Sequence, residues 1–389
     1  MEPIQVKPAG RLEGVGEYYF SKKLREIDEM RAAGKEIINL GIGSPDRPPH
    51  PEVIARLAAE AARPGNHAYQ PYKGAAVLRE AFSRWYGERY GVALDPVSEV
   101  LPLIGSKEGV MHVCMTYLGP GDRVLIPNPG YPTYRSAATI AGAACVDYKL
   151  RESNGWMPDF AEIERQGLEG VKMMIVNYPH MPTGAAPKEG LFRELVAFAK
   201  KHGILLLHDN PYSFLRNPRP ASLLSAEGAM DVAIELNSLS KSHSMAGWRI
   251  GVIAAAKQRI DEIIRFKSNM DSGMFYPMQA AAATALSLGD EWYDELNALY
   301  RRREAKAFEL LDLAGCTYDP VQAGLFVWGR LPEGAPDCYA FSDRVLYGCG
   351  VFLTPGGIFG SEGERYIRIS LCATEETLQR SIDKIRQIL

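Results

Sequence analysis

A lysine stands three residues after a serine in Ser238-Leu-Ser-Lys241, and an arginine follows eight residues on, in Ala246-Gly-Trp-Arg249-Ile-Gly251. The apolar run Val232-Ala-Ile-Glu-Leu236 just upstream predicts a buried strand, so the lysine sits beyond a strand end. A buried lysine is costly unless it is paired or its pKa is lowered. In the second case it is a neutral amine, the form that condenses with an aldehyde to a Schiff base. Arg249 offers a planar fork of donors suited to a phosphate. Ser-x-Ser-Lys alone recurs by chance, so the reading needs independent support.

A second apolar run, Ile204-Leu-Leu-Leu-His208-Asp209, ends in an acid, with Tyr212 three residues later. Taken alone, Asp209 is as well explained as a turn or helix-capping residue. In an open α/β sheet, however, ligands lie beyond the carboxyl ends of the strands, so Asp209 and Lys241 would face one crevice. A carboxylate there can pair with a protonated ring nitrogen. A third element, Pro102-Leu-Ile-Gly105-Ser106-Lys107-Glu108-Gly109, reads as strand, glycine turn and helix start, where backbone N–H groups favour an anion. Aldehyde, phosphate and basic ring nitrogen together describe pyridoxal 5'-phosphate.

These residues need a scaffold. Strand-like runs lie near 100–104, 122–127, 144–150, 172–177, 204–209, 231–237 and 248–255, with amphipathic stretches such as Leu191 to Ala199 between them. This alternation predicts an α/β fold with a mostly parallel seven-stranded sheet covered by helices on both faces. From about 283 the pattern changes to a long charged helix, Trp292 to Leu313, and short strands at 324–329, 351–353 and 366–370. A closing helix from Thr374 to Leu389, with Thr374 as N-cap, completes a smaller α+β unit. The basic run Arg301-Arg-Arg303 reads as a solvated helix face.

The set Gly105-Ser-Lys107, Pro129-Gly-Tyr-Pro132, Pro182-Thr-Gly184, Asp209-x-x-Tyr212, Ser238-x-x-Lys241 and Gly247-Trp-Arg249-x-Gly251 resembles the class I/II aminotransferases, which are fold-type I pyridoxal phosphate enzymes. The motifs keep the family's order over nearly the whole chain. The resemblance implies that Lys241 forms the Schiff base, Asp209 meets the pyridine nitrogen and Tyr212 the phenolic oxygen. It implies that Ser106, Lys107, Ser238 and Arg249 hold the phosphate while Tyr131 stacks on the ring. Tyr69, in Tyr69-Gln-Pro-Tyr-Lys-Gly74, matches a tyrosine delivered to the neighbouring subunit's phosphate, so a homodimer with shared sites is expected. Gly43 and Arg368 match positions that take the substrate α-carboxylate. Tyr18-Tyr-Phe-Ser21 and Phe266-Lys-Ser-Asn269 resemble the LL-diaminopimelate aminotransferase branch, where Tyr18 and Asn269 would touch substrate or cofactor, Asn269 across the dimer. Packing and helix capping explain both short motifs as well. The implied division is a large cofactor-binding domain over 46–282 and a small domain from 1–45 with 283–389.

One position departs from the family. Asparagine usually precedes Pro-Thr-Gly and bonds the phenolic oxygen, whereas this chain has Met181. Methionine donates no hydrogen bond. The expectation is that the contact is lost or supplied by His180 or Asn177.

Composition restricts the alternatives. The chain has 389 residues, 46% of them hydrophobic, enough for a large core. A net charge of −3 predicts neither nucleic acid nor membrane partners. Six cysteines without CxxC spacing and seven histidines without ligand spacing predict reduced thiols, a cytoplasmic setting and no metal. No apolar signal segment or membrane-length run is evident. The expected reaction is ping-pong transamination between an L-amino acid and a 2-oxo acid, with LL-diaminopimelate, aspartate, glutamate or alanine as candidate substrates. A C–S β-lyase on the same cofactor is the main alternative. A pyridoxal-binding regulator would need room for a further domain, and a nicotinamide dehydrogenase would need a G-x-G-x-x-G that is not present.

Overall fold

The computed structural model describes residues 4–17 and 19–388. Its central sheet contains β1 (Val100–Leu103), β2 (Arg123–Asn128), β3 (Ala144–Lys149), β4 (Val171–Val176), β5 (Leu205–Asp209), β6 (Ala233–Ser238) and β7 (Gly251–Ala255). These are the seven runs expected from sequence. Their spatial order is β1-β7-β6-β5-β4-β2-β3. All neighbours are parallel except β7, which runs antiparallel to both β1 and β6. Alternate side chains serve two cores. Val124, Ile126, Met173, Ile175, Leu205 and Leu207 face one helical layer, while Leu125, Met174, Val176 and Leu206 face the other. Burial on both faces explains why the strands read as continuous apolar runs.

The helices obey local signals. Leu191–His202 places Leu195, Val196 and Ala199 on its buried stripe and ends at Gly203, whose φ of +64° suits glycine. The closing helix Glu375–Ile385 begins where Thr374 Oγ1 accepts the Thr377 N–H at 3.1 Å. A second sheet holds β8 (Phe326–Arg330), β9 (Thr354–Pro355) and β10 (Tyr366–Ser370), antiparallel in the order β9-β10-β8. Ile38–Asn39 pairs in parallel with Val351–Phe352. Among the described residues, no helix is long and apolar enough to cross a membrane.

One residue corrects the reading of the basic run. Arg303 is buried on the long helix Asp290–Leu313, not solvated. Its two terminal nitrogens donate to the two oxygens of Asp46, each at 2.7 Å, and Nη1 also donates to Leu371 O at 2.9 Å. A helix this long presents one stripe inward, and Arg303 shares that stripe with Tyr300 and Ala307. The bidentate pair stitches the segment after Gly43 to the C-terminal sheet.

Candidate active site

The crevice lies along the carboxyl edge of the parallel strands. Beyond β6, Ser238 caps a single helical turn, Leu239–Ser242, its Oγ accepting the Ser240 N–H at 3.1 Å. That turn carries Lys241. Burial disfavours its charged form and lowers its pKa, and the guanidinium groups of Arg368 and Arg249 act in the same direction. Its Nζ donates to Gly43 O.

Arg249 lies just before β7, with a φ of +58° in the left-handed region. A non-glycine residue held there costs on the order of 1–3 kcal/mol and marks a place where the surroundings dictate the backbone. Its guanidinium packs against Gly105: a Cβ at that glycine would lie 2.2 Å from Nη2. Gly105 itself has a φ of +84° and opens the helix Ser106–Tyr117. Glycine is therefore required twice over at this position, by its backbone and by its neighbour.

Asp209 closes β5. Its Oδ2 accepts the Tyr134 hydroxyl at 2.8 Å, while Oδ1 is buried with no hydrogen-bond partner among the described residues. Burial pushes the carboxyl up to about 6, against the lowering effects of the Tyr134 hydrogen bond and of His208 and Lys241. Behind it, His208 Nδ1 bonds Glu235 Oε2 at 2.8 Å and joins β5 to β6. A buried carboxylate oxygen left open toward a cavity is where a cationic ring N–H would fit.

The cavity has a volume of about 440 Å³. Of the residues singled out from sequence, Gly43, Ser106, Lys107, Tyr131, Asp209, Tyr212, Ser238, Lys241, Arg249 and Arg368 all line it. Tyr69 and Asn269 do not. Tyr69 is 90% exposed. Asn269 is also exposed, and its Nδ2 donates to Arg265 O at 2.8 Å as a helix-end contact. Tyr18 lies outside the described residues.

Both residues expected to replace the missing asparagine already hold bonds of their own. Asn177 borders the cavity, but its Nδ2 donates to Asp209 O at 2.6 Å and its Oδ1 accepts the Met181 N–H at 2.8 Å. His180 is outside the cavity lining, bonded through Nδ1 to Thr183 Oγ1 at 2.8 Å. Burial lowers its pKa to about 3, so it is neutral at ordinary pH. Met181 Sδ instead accepts from Arg368 Nη1 at 3.2 Å.

Several site residues were not foreseen. Tyr134 follows the Tyr131-Pro132 motif by one helical turn, and that i, i+3 spacing was the available signal. Phe326 and Phe359 line the cavity without belonging to any motif, and Phe20, within Tyr18-Tyr-Phe-Ser21, lines it without a role assigned from sequence. Elsewhere, Glu108, His112 and Asp271 converge, but Lys267 already holds both oxygens of Asp271, at 2.9 and 2.7 Å. The cavity's donor set fits pyridoxal phosphate: a low-pKa amine, an anion cradle too tight for a Cβ, and an open buried carboxylate oxygen.

Comparison with known proteins agrees. The family model described as aminotransferase class I and II matches residues 35–385. The chain is 40% identical over 382 residues to an LL-diaminopimelate aminotransferase of Dehalococcoides mccartyi, covering 98% of each. It is 38% identical to one from Moorella thermoacetica, covering 99% of each. Among solved structures, apo-BacF of Bacillus subtilis superposes with a TM-score of 0.95 at 36% identity, covering 99% of both chains. An aminotransferase from Staphylococcus aureus gives 0.89 at 28%, covering 98% of both.

Proposed function

Because the chain belongs to the class I and II aminotransferases, we propose that Lys241 is the residue that links to pyridoxal phosphate and then shuttles the substrate proton. The protein is a pyridoxal phosphate-dependent transaminase, moving an amino group between an amino acid and a 2-oxo acid. When bound, the cofactor supplies an aldehyde and a ring that withdraws electrons from the substrate Cα. The remaining tasks fall to side chains. Burial lowers the pKa of the Lys241 amine, which favours its taking a proton from the substrate Cα and returning it. Asp209 Oδ1 holds a proton on the ring nitrogen, and Tyr212 donates to the phenolic oxygen. Ser106, Lys107, Ser238 and Arg249 hold the phosphate, and Tyr131 lies on the ring. Arg368 and Gly43 receive the α-carboxylate. Two successive substrates use one site, which gives ping-pong kinetics.

The observation behind this assignment is that the Lys241 amine and the unbonded Asp209 Oδ1 face one cavity with Arg368. Borohydride reduction of the holoenzyme followed by peptide mapping tests it. The adduct is expected on Lys241, and an adduct on any other lysine overturns the assignment.

The same reading makes the working form a homodimer, in which the exposed Tyr69 and Asn269 complete the partner's site, while Tyr18 serves substrate or cofactor. It keeps the domain division at 46–282 and 1–45 with 283–389, and a cytoplasmic setting. The name of the curated relatives supports LL-diaminopimelate as a donor. Aspartate, glutamate and alanine present the same α-amino, α-carboxylate head.

A further inference from the structure

Arg216 belongs to no motif and does not itself line the cavity, yet it is buried where the loop after β5 meets the start of β8. Its backbone has a φ of +50°, a conformation that side chains disfavour and that persists only where the surroundings dictate it. The guanidinium spans four acceptors. Nε donates to Gly324 O at 3.0 Å, and Nη2 donates to Phe326 O at 2.6 Å and Ala323 O at 3.4 Å. Nη1 donates to Glu304 on the long helix. Two turns earlier on that helix, Asn297 accepts the Arg216 N–H at 2.6 Å and donates to Phe214 O at 2.9 Å. Asn297 and Glu304 share one helix face, which thus grips the loop by its backbone and by the Arg216 side chain. Burial lowers the arginine's pKa to about 10, with Glu304 acting against the fall.

Both sides of this seam reach the cavity. On the loop side, the Leu215 N–H donates to Tyr212 O at 3.0 Å, and Leu215 O accepts the Gly324 N–H at 2.8 Å. On the strand side, the Phe326 ring packs so closely on Gly43 that a Cβ there would lie 2.2 Å away. The centroid of the same ring is 3.7 Å from Arg368 Cζ. Phe359 at 4.7 Å and Phe20 at 5.8 Å complete a cage of rings around that guanidinium, whose Nη2 donates to Gly41 O at 2.8 Å. The Phe326 carbonyl held by Arg216 therefore belongs to the residue whose ring sets where Arg368 can lie.

We propose that Arg216 is a positioning residue for the substrate α-carboxylate, fixing the spacing between Tyr212 on the cofactor side and Phe326 with Arg368 on the substrate side. The proposal rests on the reading of Arg368 as the carboxylate anchor. Every group of the clamp comes from one chain and lies behind the cavity wall, so it acts whatever side chain the substrate carries. A planar fork is required, because a compact ammonium cannot reach three carbonyls and Glu304 at once.

The test uses the holoenzyme and Arg216→Lys, which keeps the charge and loses the fork. Single-turnover loss of the cofactor's visible band gives the half-saturating donor concentration and the maximal rate, with LL-diaminopimelate, glutamate, aspartate and alanine as donors. Calorimetry gives the dissociation constant of succinate, a carboxylate without an amino group, and that of pyridoxal phosphate. Arg216→Lys is expected to weaken donor and succinate binding about tenfold, with the maximal rate within about threefold and pyridoxal phosphate affinity within about twofold. In an Arg368→Lys background the same change should add less than about twofold, because the clamp acts through Arg368. Glu304→Gln, which leaves the carbonyl bonds in place, should weaken both by about threefold alone and by nothing in that background. It takes the place of Arg216→Lys in the cycle should that variant not fold. Unchanged donor and succinate binding, or a full effect on top of Arg368→Lys, overturns the proposal and leaves transamination intact. If the wild-type band is lost with none of the donors, the transaminase reading fails, and the succinate cycle still decides the role of Arg216.

Discussion

Tyr134 donates its hydroxyl to Asp209 Oδ2 at 2.8 Å, and the other oxygen of the same carboxylate has no hydrogen-bond partner among the described residues. The two residues come from separate segments, the helix Pro132–Ala141 and the end of β5. One oxygen is thereby fixed by the protein, and the other is aimed at the cavity.

Tyr134→Phe removes that fixation while leaving the ring in place. A hydrogen bond to a charged group is worth about 1.5–3 kcal/mol, so kcat is expected to fall at least about tenfold. KM for the amino donor should move much less, because Tyr134 positions Asp209 and the α-carboxylate is held elsewhere. Steady-state kinetics with one good donor decides this. An unchanged kcat would show that Asp209 is held by its burial alone.

Asp209 should make the apo-protein less stable as pH rises. Its carboxyl goes from an ordinary value of 3.8 up to about 6 on folding, because burial penalises the charge. The folded state therefore binds the proton more tightly. Stability is fully present below about pH 4 and is lost as pH climbs through about 6. The loss is on the order of 3 kcal/mol above that point. Asp209→Asn has no such penalty, so apo-Asp209→Asn should melt higher than apo-wild type at pH 8 and gain little at pH 4. Calorimetric melts at the two pH values measure the difference. Equal gaps would place the cost elsewhere.

Met181→Asn restores a donor at the position where the family carries asparagine, while Asn177 is bonded to Asp209 O and the Met181 N–H and His180 to Thr183 Oγ1. With pyridoxal phosphate held as proposed, its phenolic oxygen and the nitrogen joining it to Lys241 would share one proton. A less solvated oxygen anion holds that proton more strongly. The added amide should lower the midpoint of the visible-band pH titration by about one pH unit or less, as suits one neutral contact. A midpoint that stays or rises would reveal another donor at the oxygen.

Tyr69 offers a test of shared sites. Tyr69→Ala and Lys241→Ala proteins, each nearly inactive, are mixed and allowed to exchange subunits. If Tyr69 serves the partner, half of the dimers are mixed and each has one intact site, restoring about one quarter of wild-type activity. A cis arrangement restores none.

The seven central strands were legible because they are buried on both faces, which makes each a continuous apolar run. Lys241, Asp209 and Arg249 were legible only together, because each falls near a strand end of one α/β sheet and such ends meet at one crevice. Ile38–Asn39 and Thr354–Pro355 were not, since two residues show no period. Arg303 was misread because a charged triplet reveals nothing of which member faces inward. The phenylalanine cage escaped notice for the converse reason: a phenylalanine looks the same in sequence whether it packs a core or walls a ligand.

The reversed direction of β7 has a genetic corollary. Because that strand turns back between β1 and β6, the single connection from Ser238 to Gly251 carries both Lys241 and Arg249 to the same sheet edge. A parallel strand would have sent the chain across the sheet first and parted them. The proposed covalent and ionic anchors of the cofactor are thus inherited as one short cassette, pressed against Gly105 and Ser106 through Arg249 and Gly251. Substitutions within 239–250 should then fail to add in double-mutant cycles with Gly105 or Ser106. Grafting this loop from a relative should succeed only when the 104–107 turn travels with it.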